Sequence, residues 1–461
     1  MELEREEIRW LRHPEAEAFV ADRLSRFVAH MPPVRALGAK MAARTNSRLM
    51  DWLDYLVLAD GDVIVGRLVD LGFEPADVPA EPGDSVYVHP GAIFSRFVLR
   101  KSSAAAPGDV IAVAIHVEDV GAFLMAHHVA TPIEGTPLSP YRRARVWQSG
   151  GRVFSAVERR GYRGFLPQQT RREYPQRYLL AFERWATRPR RFDDVRQGME
   201  QTLALTRSLV SDLGVDTAAW IVAAAERSHW QRRNRAAQAQ ASRQGELGLG
   251  WTNHDHYAFR SSREVFYLLV QILETLGFQA RERFYAGAEA GWGAQVMEQP
   301  ACGLAVFADV DLAPDEVDGD FAHQPLAPRD ELGTVGLWCA LHGESMLSAG
   351  LHHLACRLDF DAASVGLAGW NVRMMRSFSD FPHLRQAFTR GERWDVPWER
   401  LERLAASGHI DAAQRERFAT EGAVGSHLEN IQRGEGFKGF NPHTVSDIMR
   451  RIDPRVEFRT A

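Results

Sequence analysis

Short runs of apolar or alternating residues, which are typical of β-strands, follow a helical start in the first third of the chain. Apolar positions between Ile8 and Val28 recur at helical intervals, and Met31-Pro32-Pro33 ends this pattern, so residues 1–45 are predicted to be helical. The predicted strands lie at 50–58, 86–99, 110–117 and 152–158. Short helices are predicted between them at 60–71 and 119–128. This order predicts an α+β half with leading helices over residues 1–170.

The middle of the chain has a different pattern. Residues 171–243 are rich in Arg, Ala, Gln and Glu, with apolar residues at helical intervals, which predicts two or three helices that connect and brace the two halves. The basic, Ala- and Gln-rich piece from Gln231 to Gln244 is predicted to be an exposed helix or a linker. From Gly250 onward the strand and helix pattern returns, with a predicted helical insertion at 370–422. We therefore expect three parts, at 1–170, 171–249 and 250–461.

Three pairs of segments recur in the same order, which indicates an internal duplication. LVDLGFEPADV (68–78) matches LETLGFQARER (273–283), and GYRGFLP (161–167) matches GFKGFNP (436–442). Between them, IAVAIHVED (111–119) aligns loosely with AGLHHLACR (349–357), which pairs His116 with His353. A strand, a helix and several strands, repeated, predict an α+β fold of duplicated βαβββ-type modules. Two such modules side by side would form a cupped sheet around a site.

Composition narrows the classes of partner and the location. The net charge is −5 and the pI is near 6.4, so there is no electrostatic case for nucleic acid or an anionic membrane as a partner. No apolar run is long enough to span a bilayer, and the acidic, amphipathic N-terminus is unlike a signal peptide. Cys302, Cys339 and Cys356 fit neither a disulfide framework nor a CxxC zinc site. We expect a cytoplasmic location; the sequence indicates no oligomeric state.

The stretch TNHDHYAFR, from Thr252 to Arg260, places polar and ionisable residues in a strand-like run. On a strand, His254, His256 and Arg260 share one face. Imidazole is the commonest neutral metal ligand, and guanidinium pairs with carboxylates through two parallel hydrogen bonds. This face therefore predicts a metal beside a carboxylate-bearing substrate. The alternative is an exposed, His-rich loop.

These motifs resemble those of the 2-oxoadipate dioxygenase/decarboxylase family, a branch of the vicinal oxygen chelate superfamily. The resemblance covers about residues 250–445, with a fainter similarity in 45–170. The family's polar-x-His-x-Ala-x-Arg motif fits the run from His254 to Arg260, and its Asn-His-Leu/Phe-Thr motif is matched by the run from His352 to Ala355. Glu429 matches the glutamate that the family carries on a later strand. The leading polar residue, here His254, and the flanking His352 and Ala355 depart from the family pattern.

The resemblance implies a facial triad of His256, His353 and Glu429 that holds Fe(II), or else Mn or another divalent metal. Alternation along residues 351–358 places His353 on one face and His352 on a more apolar face, which favours His353 as the ligand. By the same resemblance Arg260 would hold a substrate carboxylate, and the alternative is an ordinary salt bridge. The secondary candidates for substrate binding are Arg357, Arg433 and His254.

Other ionisable residues compete for these roles. Glu435 and Glu298 are the competing carboxylates, with a solvated turn and a solvated strand end as their alternatives. In the first half, the position of the first ligand offers only Asp51 and Asp54, so residues 45–170 are predicted to be a degenerate copy without the triad. Glu158 aligns with Arg433 rather than with Glu429, and the histidines expected to be structural or exposed there are His89, His116, His127 and His128. Cys356 is expected to be a small buried apolar residue.

The resemblance implies an iron(II) dioxygenase that decarboxylates a 2-oxo acid similar to 2-oxoadipate, giving CO₂ and a hydroxy acid. The expected partners are the small-molecule acid and O₂. A non-oxidative metal-dependent isomerase or lyase is one alternative, since one fold hosts several chemistries. A non-catalytic ligand-binding protein is the other.

Overall fold

The computed structural model describes residues 10–288, 290–441, 448 and 452–455. The first nine residues of the predicted helical start therefore lie outside the described part. The described residues form 13 α-helices: α1 Pro14–Ala29, α2 Pro32–Thr45, α3 Asp62–Asp70, α4 Val120–Ala126, α5 Tyr174–Ala186, α6 Val195–Leu213, α7 Val215–Gln231, α8 Arg235–Gly245, α9 Phe266–Thr275, α10 Thr334–His342, α11 Phe360–Ala368, α12 Trp398–Ala406 and α13 Ala412–Glu421.

The strands fall into two groups along the chain. Those of the first group are β1 Leu53–Ala59, β2 Glu74–Ala76, β3 Ser85–Val88, β4 Arg96–Arg100, β5 Val110–His116, β6 Ile133–Glu134, β7 Tyr141–Ser149 and β8 Arg152–Arg159. Those of the second group are β9 His254–Arg260, β10 Gln279–Tyr285, β11 Trp292–Gln299, β12 Leu304–Asp311, β13 His353–Arg357, β14 Ser379–Phe381, β15 Leu384–Phe388, β16 Glu392–Trp394 and β17 Ala423–Arg433.

Each group forms one sheet, and the two sheets have the same strand order. The first runs β2-β3-β4-β1-β5-β8-β7-β6, and the second runs β10-β11-β12-β9-β13-β17-β15-β14, with β16 paired to β17. In both sheets the two central strands are antiparallel, and each is parallel to its outer neighbour. The predicted α+β fold of duplicated βαβββ modules is confirmed.

The duplication goes one level deeper than the sequence indicates. Strand β1, helix α3 and strands β2 to β4 form one βαβββ module, and β5, α4 and β6 to β8 form a second. The second sheet repeats this with α9 and α11 as the module helices. Each half therefore contains two modules rather than the single module that we expected. The matched glycines of the repeat, Gly72 and Gly277, end α3 and α9 with φ of 84° and 77°, a left-handed conformation that glycine adopts readily.

The registers of the central strands align the halves residue by residue. In the parallel pairs, Tyr55 of β1 lies opposite Arg96 of β4, and His256 of β9 lies opposite Ala305 of β12. In the central antiparallel pairs, Val57 lies opposite Ala112 in the first sheet, and Ala258 lies opposite His353 in the second. His353 is therefore equivalent to Ala112. The predicted pairing of His116 with His353 was wrong, because His116 occupies the position of Arg357 at the far end of the strand.

Two sequence-based assignments of secondary structure were also wrong. The range 370–422 contains β14, β15 and β16 before its two helices, so it is not largely helical. The piece from Gln231 to Gln244 is not exposed: α8 buries Ala237 and Gln240, and Gln240 Nε2 donates to the carbonyl of Thr45. Its composition is that of a solvated helix, but packing against α2 overrides that tendency. The boundaries of the three predicted parts remain a prediction.

Apolar cores hold helices against one side of each sheet. Helices α1 to α4 pack on the first sheet around Phe27, Trp52 and Phe97. Helices α5 to α9 pack on the second around Trp185, Trp230 and Phe266. The other face of the second sheet is lined by aromatic side chains, and this face presents His256. No helix in the described part of the chain combines the length and apolar character needed to cross a lipid bilayer.

Candidate metal centre

Three central strands of the second sheet bring His256, His353 and Glu429 together. His256 lies on β9, His353 begins β13, and Glu429 lies on β17. These strands are neighbours, so residues that are far apart in the sequence share one face. All three side chains are buried, with His256 3%, His353 9% and Glu429 1% exposed. Burial of this kind excludes the exposed, His-rich loop as an account of this stretch.

The ligand atoms of the triad converge on one point. His353 Nε2 lies 3.3 Å from His256 Nε2, and each of these nitrogens lies 3.2 Å from Glu429 Oε2. One ligand atom from each residue falls within 4.8 Å of the other two, which suits a metal ion, and the described residues add no fourth His, Cys, Asp or Glu to this group. Three protein ligands with open positions are typical of a catalytic rather than a structural metal.

The electrostatics of the group favour a cation. Burial alone would lower the pKa of His256, but the carboxylates of Glu429 and Asp255 outweigh it and raise that pKa to about 9. By contrast, burial and the nearby His256 hold the pKa of His353 well below its usual value. The carboxylates that raise the pKa of His256 would likewise favour a divalent cation at this point.

Asp255 orients the His256 ring. Its Oδ1 lies 3.0 Å from His256 Nδ1, and its Oδ2 accepts from Arg433 Nε at 2.8 Å. Burial raises and Arg433 lowers the pKa of Asp255, which ends well below its usual value. A carboxylate at Nδ1 fixes the proton there and leaves Nε2 as the electron-pair donor that a metal requires.

Gln386 orients the Glu429 carboxylate. It lies on β15, and its Nε2 donates to Glu429 Oε1 at 2.7 Å. The other carboxylate oxygen, Oε2, is the one that faces both imidazoles. Sequence reasoning missed Gln386, because it lies in the range that we expected to be helical.

His353 rather than His352 reaches the triad, as the strand alternation favoured. His352 lies behind it, with its Nδ1 3.1 Å from His353 Nδ1 and its ring against Trp338. The ring of His353 packs on Phe388 at 5.0 Å. The ring of His256 packs on Phe307 and Phe440, with centroids 5.0 and 5.2 Å away. These three phenylalanine rings shield the triad from water, and no spacing in the sequence indicates that they would lie there.

Arg260 is on the same strand as His256 and is fully buried. Its Nε lies 3.9 Å from Asp309 Oδ2, and its guanidinium lies over the Trp338 ring at 5.4 Å. Burial raises the pKa of Asp309 to about 7 even though Arg260 opposes this shift. The Arg260–Asp309 contact is a long, buried ion pair of the kind that the alternative, an ordinary salt bridge, describes, and a role of Arg260 in holding a substrate carboxylate remains a prediction.

The secondary candidates lie elsewhere. Arg357 and Arg433 line a cavity between the two halves together with His254, and the triad does not line it. Arg433 is held by Asp255 and by the carbonyls of Phe437 and Gly439. Phe440 separates the two regions, since its ring contacts His256 on one side and lies 4.7 Å from the Arg433 guanidinium on the other. A role for these three residues in substrate binding remains a prediction.

The competing residues have other partners. Glu298 pairs with Arg281 and Lys438, and Glu435 lies 3.6 Å from Arg12. Glu158 accepts from the backbone N–H of Val120 and pairs with Arg142 and Arg160. Cys356 is buried, and burial raises the pKa of its thiol above the usual value, as expected for an inert thiol. The rings of His89 and His127 pack against phenylalanines.

The first half offers no triad at the equivalent positions. The registers place Tyr55, Ala112 and Ser155 where His256, His353 and Glu429 stand. Apolar side chains, including those of Tyr141 and Phe165, fill this face of the first sheet. The prediction of a degenerate first copy agrees with this arrangement.

Comparisons with known proteins give no family assignment. No family model matches the sequence, and no curated protein matches it. A triple mutant of 4-hydroxymandelate synthase from Streptomyces coelicolor aligns with 89% of this chain and 98% of its own, at 13% identity and a TM-score of 0.29. A putative hydrolase from Shewanella frigidimarina aligns with 54% of this chain and 98% of its own, at 13% identity and a TM-score of 0.32.

Methylmalonyl-CoA epimerase from Mycobacterium tuberculosis aligns with 39% of this chain and 87% of its own, at 12% identity and a TM-score of 0.23. Similarity at this level carries no argument about activity. Membership of the 2-oxoadipate dioxygenase/decarboxylase family therefore remains a prediction. Function is therefore inferred from the geometry and chemistry of the site rather than from the fold.

Proposed function

We propose that the protein is an iron(II)-dependent dioxygenase that decarboxylates a 2-oxo acid, with a dicarboxylic acid similar to 2-oxoadipate as the substrate. The observation that carries this proposal is the convergence of His256, His353 and Glu429 on one buried point. Two imidazoles and one carboxylate on one side of an ion leave positions open for substrate and O₂.

The residues around this point fit the metal. Both imidazoles present Nε2, and Asp255 fixes the tautomer of His256 that makes this possible. Gln386 holds Glu429 Oε1, which leaves Oε2 beside both imidazoles, where it would be free to bind the metal. When bound, iron would supply the one-electron chemistry that O₂ requires and would polarise the 2-oxo group.

The substrate class rests on Arg260. This residue lies four positions beyond His256 on the same face of β9, about 13 Å along the strand. The distance suits a molecule whose 2-oxo acid end lies at the triad and whose second carboxylate meets the guanidinium. The planar fork of arginine holds a carboxylate through two parallel N–H donors, and burial strengthens that contact.

The overall reaction balances without another reactant. A 2-oxo dicarboxylic acid and O₂ give CO₂ and a hydroxy diacid that is one carbon shorter. The bond between the carboxylate carbon and the 2-oxo carbon breaks, and so does the O–O bond. One oxygen atom of O₂ turns the 2-oxo carbon into a carboxyl group, and the other inserts into a C–H bond of the neighbouring carbon to give the hydroxyl group. The surrounding rings of Phe307, Phe388 and Phe440 exclude water, which protects reactive intermediates.

The test is O₂ consumption by protein loaded anaerobically with Fe(II). We expect consumption of O₂ and release of CO₂ in equal amounts with 2-oxoadipate or 2-oxoglutarate. Glu429→Gln should lose bound iron and activity together. Glu298→Gln is the matched control, because it makes the same change in the same sheet at a carboxylate held by Arg281 and Lys438.

Other outcomes would contradict the proposal. Absence of both O₂ consumption and CO₂ release with every 2-oxo acid tested would exclude the dioxygenase. Turnover with Mn(II), Ni(II) or Zn(II) without O₂ would indicate an isomerase or lyase instead. Metal-free purified protein whose ligand binding is unchanged by His256→Ala would indicate a binding protein.

A further inference from the structure

The cavity between the two halves, which His254, Arg357 and Arg433 line, is separate from the triad. Its volume is about 430 Å³, and the triad residues do not line it. Its walls include Asp54, His116 and Arg159 of the first half, and His254, Arg357 and Arg433 of the second. The backbone N–H of Ile93 donates to Gly436 at its edge, which joins the halves there.

The wall residues come from equivalent positions of the duplication. The strand registers make Arg159 equivalent to Arg433 and His116 equivalent to Arg357. They likewise make Leu53 equivalent to His254, because Leu53 faces Ile115 as His254 faces Cys356. Equivalent residues of both halves thus face one space, so we name it the twofold cavity.

The contacts of the two equivalent arginines also repeat. Arg159 Nε donates to Asp54 Oδ2 at 2.7 Å, and Arg433 Nε donates to Asp255 Oδ2 at 2.8 Å. A second donor of Arg159 reaches the carbonyls of Tyr162 and Gly164, as that of Arg433 reaches Phe437 and Gly439. We call each Asp–Arg pair with its two carbonyls an Asp–Arg cluster. The two Asp–Arg clusters hold the walls of the cavity in place.

Positive charge exceeds negative charge in the twofold cavity. Its lining contains six arginines and three carboxylates, namely Arg48, Arg96, Arg159, Arg163, Arg357 and Arg433, with Glu17, Asp51 and Asp54. Asp255, which lies behind Arg433, adds a fourth carboxylate. Two positive charges remain in excess. Arg357 Nε lies 3.7 Å from Asp255 Oδ2, which is beyond hydrogen-bond distance, and the Arg357 side chain is 30% exposed.

Buried donors in the wall also lack acceptors. Among the described residues, Arg159 Nη2 and Arg357 Nε have no hydrogen-bond partner. Buried N–H groups are normally paired, and leaving one unpaired costs stability. Burial lowers the pKa of His116 to about 4, so this imidazole adds no positive charge at neutral pH. An anion with several oxygens would satisfy both the unpaired donors and the excess charge.

We propose that the twofold cavity binds a small dianion, a dicarboxylate or a phosphate group, at a site separate from the triad. Arg357 and the exposed Arg163 supply the charge that the carboxylates in the wall leave uncompensated. Guanidinium groups bind both kinds of anion through paired N–H donors. The site does not depend on the proposed oxygenase activity, so either can fail without the other.

The test is calorimetric titration of the metal-free protein with succinate and, separately, with inorganic phosphate. We expect at least one of them to bind, and the arm that gives heat identifies the source of the dianion. Arg357→Gln should weaken binding by about 10-fold or more, because a charge-assisted hydrogen bond contributes about 1.5–3 kcal/mol. Arg163→Gln, at an exposed position, should weaken it too and guards against a misfolded Arg357 variant.

Two controls separate this site from others. Arg385→Gln should bind as wild type does, since Arg385 is equally exposed at 30% and lies in the same sheet but pairs with Asp361. Glu429→Gln, which alters the triad, should also bind as wild type does. Absence of binding by both anions would overturn the proposal. So would binding that is unchanged in Arg357→Gln and Arg163→Gln, or binding that is lost in Glu429→Gln.

Discussion

Replacement of Gln386 by leucine tests whether the Glu429 carboxylate is held in place for a metal. The change removes the amide whose Nε2 donates to Glu429 Oε1 at 2.7 Å and retains a side chain of similar size. Glu429 itself is untouched, so any loss of metal affinity comes from its orientation. Gln386 is 3% exposed, and therefore no water replaces the lost donor directly.

The expected loss follows from the kind of hydrogen bond. A hydrogen bond to a charged group contributes about 1.5–3 kcal/mol, which corresponds to about 10- to 100-fold in affinity. Loss of a side chain that orients a metal ligand typically lowers metal affinity by about the same factor. We therefore expect the Fe(II) dissociation constant of Gln386→Leu to rise about 10- to 100-fold.

The assay is anaerobic competition with a chromophoric chelator, read against Co(II) as a second ion. Gln295→Leu is the matched control. Gln295 is 4% exposed on β11 in the same sheet, and its Nε2 donates to the carbonyls of Glu282 and Val296 instead of to a triad residue. Unchanged affinity in Gln386→Leu, or an equal loss in both variants, would refute the reasoning. Thermal unfolding of each variant checks that it is folded.

Two further predictions concern Arg260 and Glu226. Arg260→Lys removes the planar fork and should raise KM for a 2-oxo dicarboxylate about 10-fold or more with a smaller effect on kcat, measured by O₂ uptake. Burial raises the pKa of Glu226, but Arg188 and Arg190 outweigh it and lower the pKa from 4.5 to about 2. The resulting stabilisation, about 3 kcal/mol, is present above pH 4.5 and is lost as the pH falls toward 2. Urea unfolding should show Glu226→Gln destabilised by about this amount at pH 7, with the difference shrinking in acid.

Each of these predictions has a control. Arg263→Lys changes the nearby arginine that pairs with Glu316, and it should leave KM unchanged. Glu421→Gln breaks an ion pair with Arg393 in which both side chains are at least 40% exposed, and it should cost less than about 1 kcal/mol. An equal KM for the two lysine variants would contradict the role of Arg260. A Glu226→Gln difference that grows in acid would contradict the sign of its pKa shift.

Much of the site follows from local rules. Strand alternation separates His353 from His352, and the structure puts His353 Nε2 3.3 Å from His256 Nε2. The resemblance supplies Glu429, which residue type alone does not distinguish from a surface acid. Alternation also places Arg260 on the face of His256, because side-chain direction on a strand depends only on position.

The rest depends on contacts between distant segments. Gln386 and Phe440 reach the triad because β15 and the loop after β17 pack there, and nothing in their neighbourhood along the chain indicates it. The second module in each half carries too little sequence similarity to be recognised, although its strand order is the same. The prediction that α8 is exposed fails for a related reason, since its alanines and glutamines are equally suited to solvent and to a close contact with α2.

The repeated Asp–Arg cluster allows one half of the molecule to serve as a control for the other. Both halves carry this cluster, yet the triad positions of the first half hold Tyr55, Ala112 and Ser155. The first half is therefore an internal reference for the second. In hydrogen exchange on a single sample, loading with metal should slow exchange in β9, β13 and β17 while their counterparts β1, β5 and β8 stay constant. The ratio between equivalent strands would report metal occupancy directly, free of differences in concentration, pH or temperature between samples.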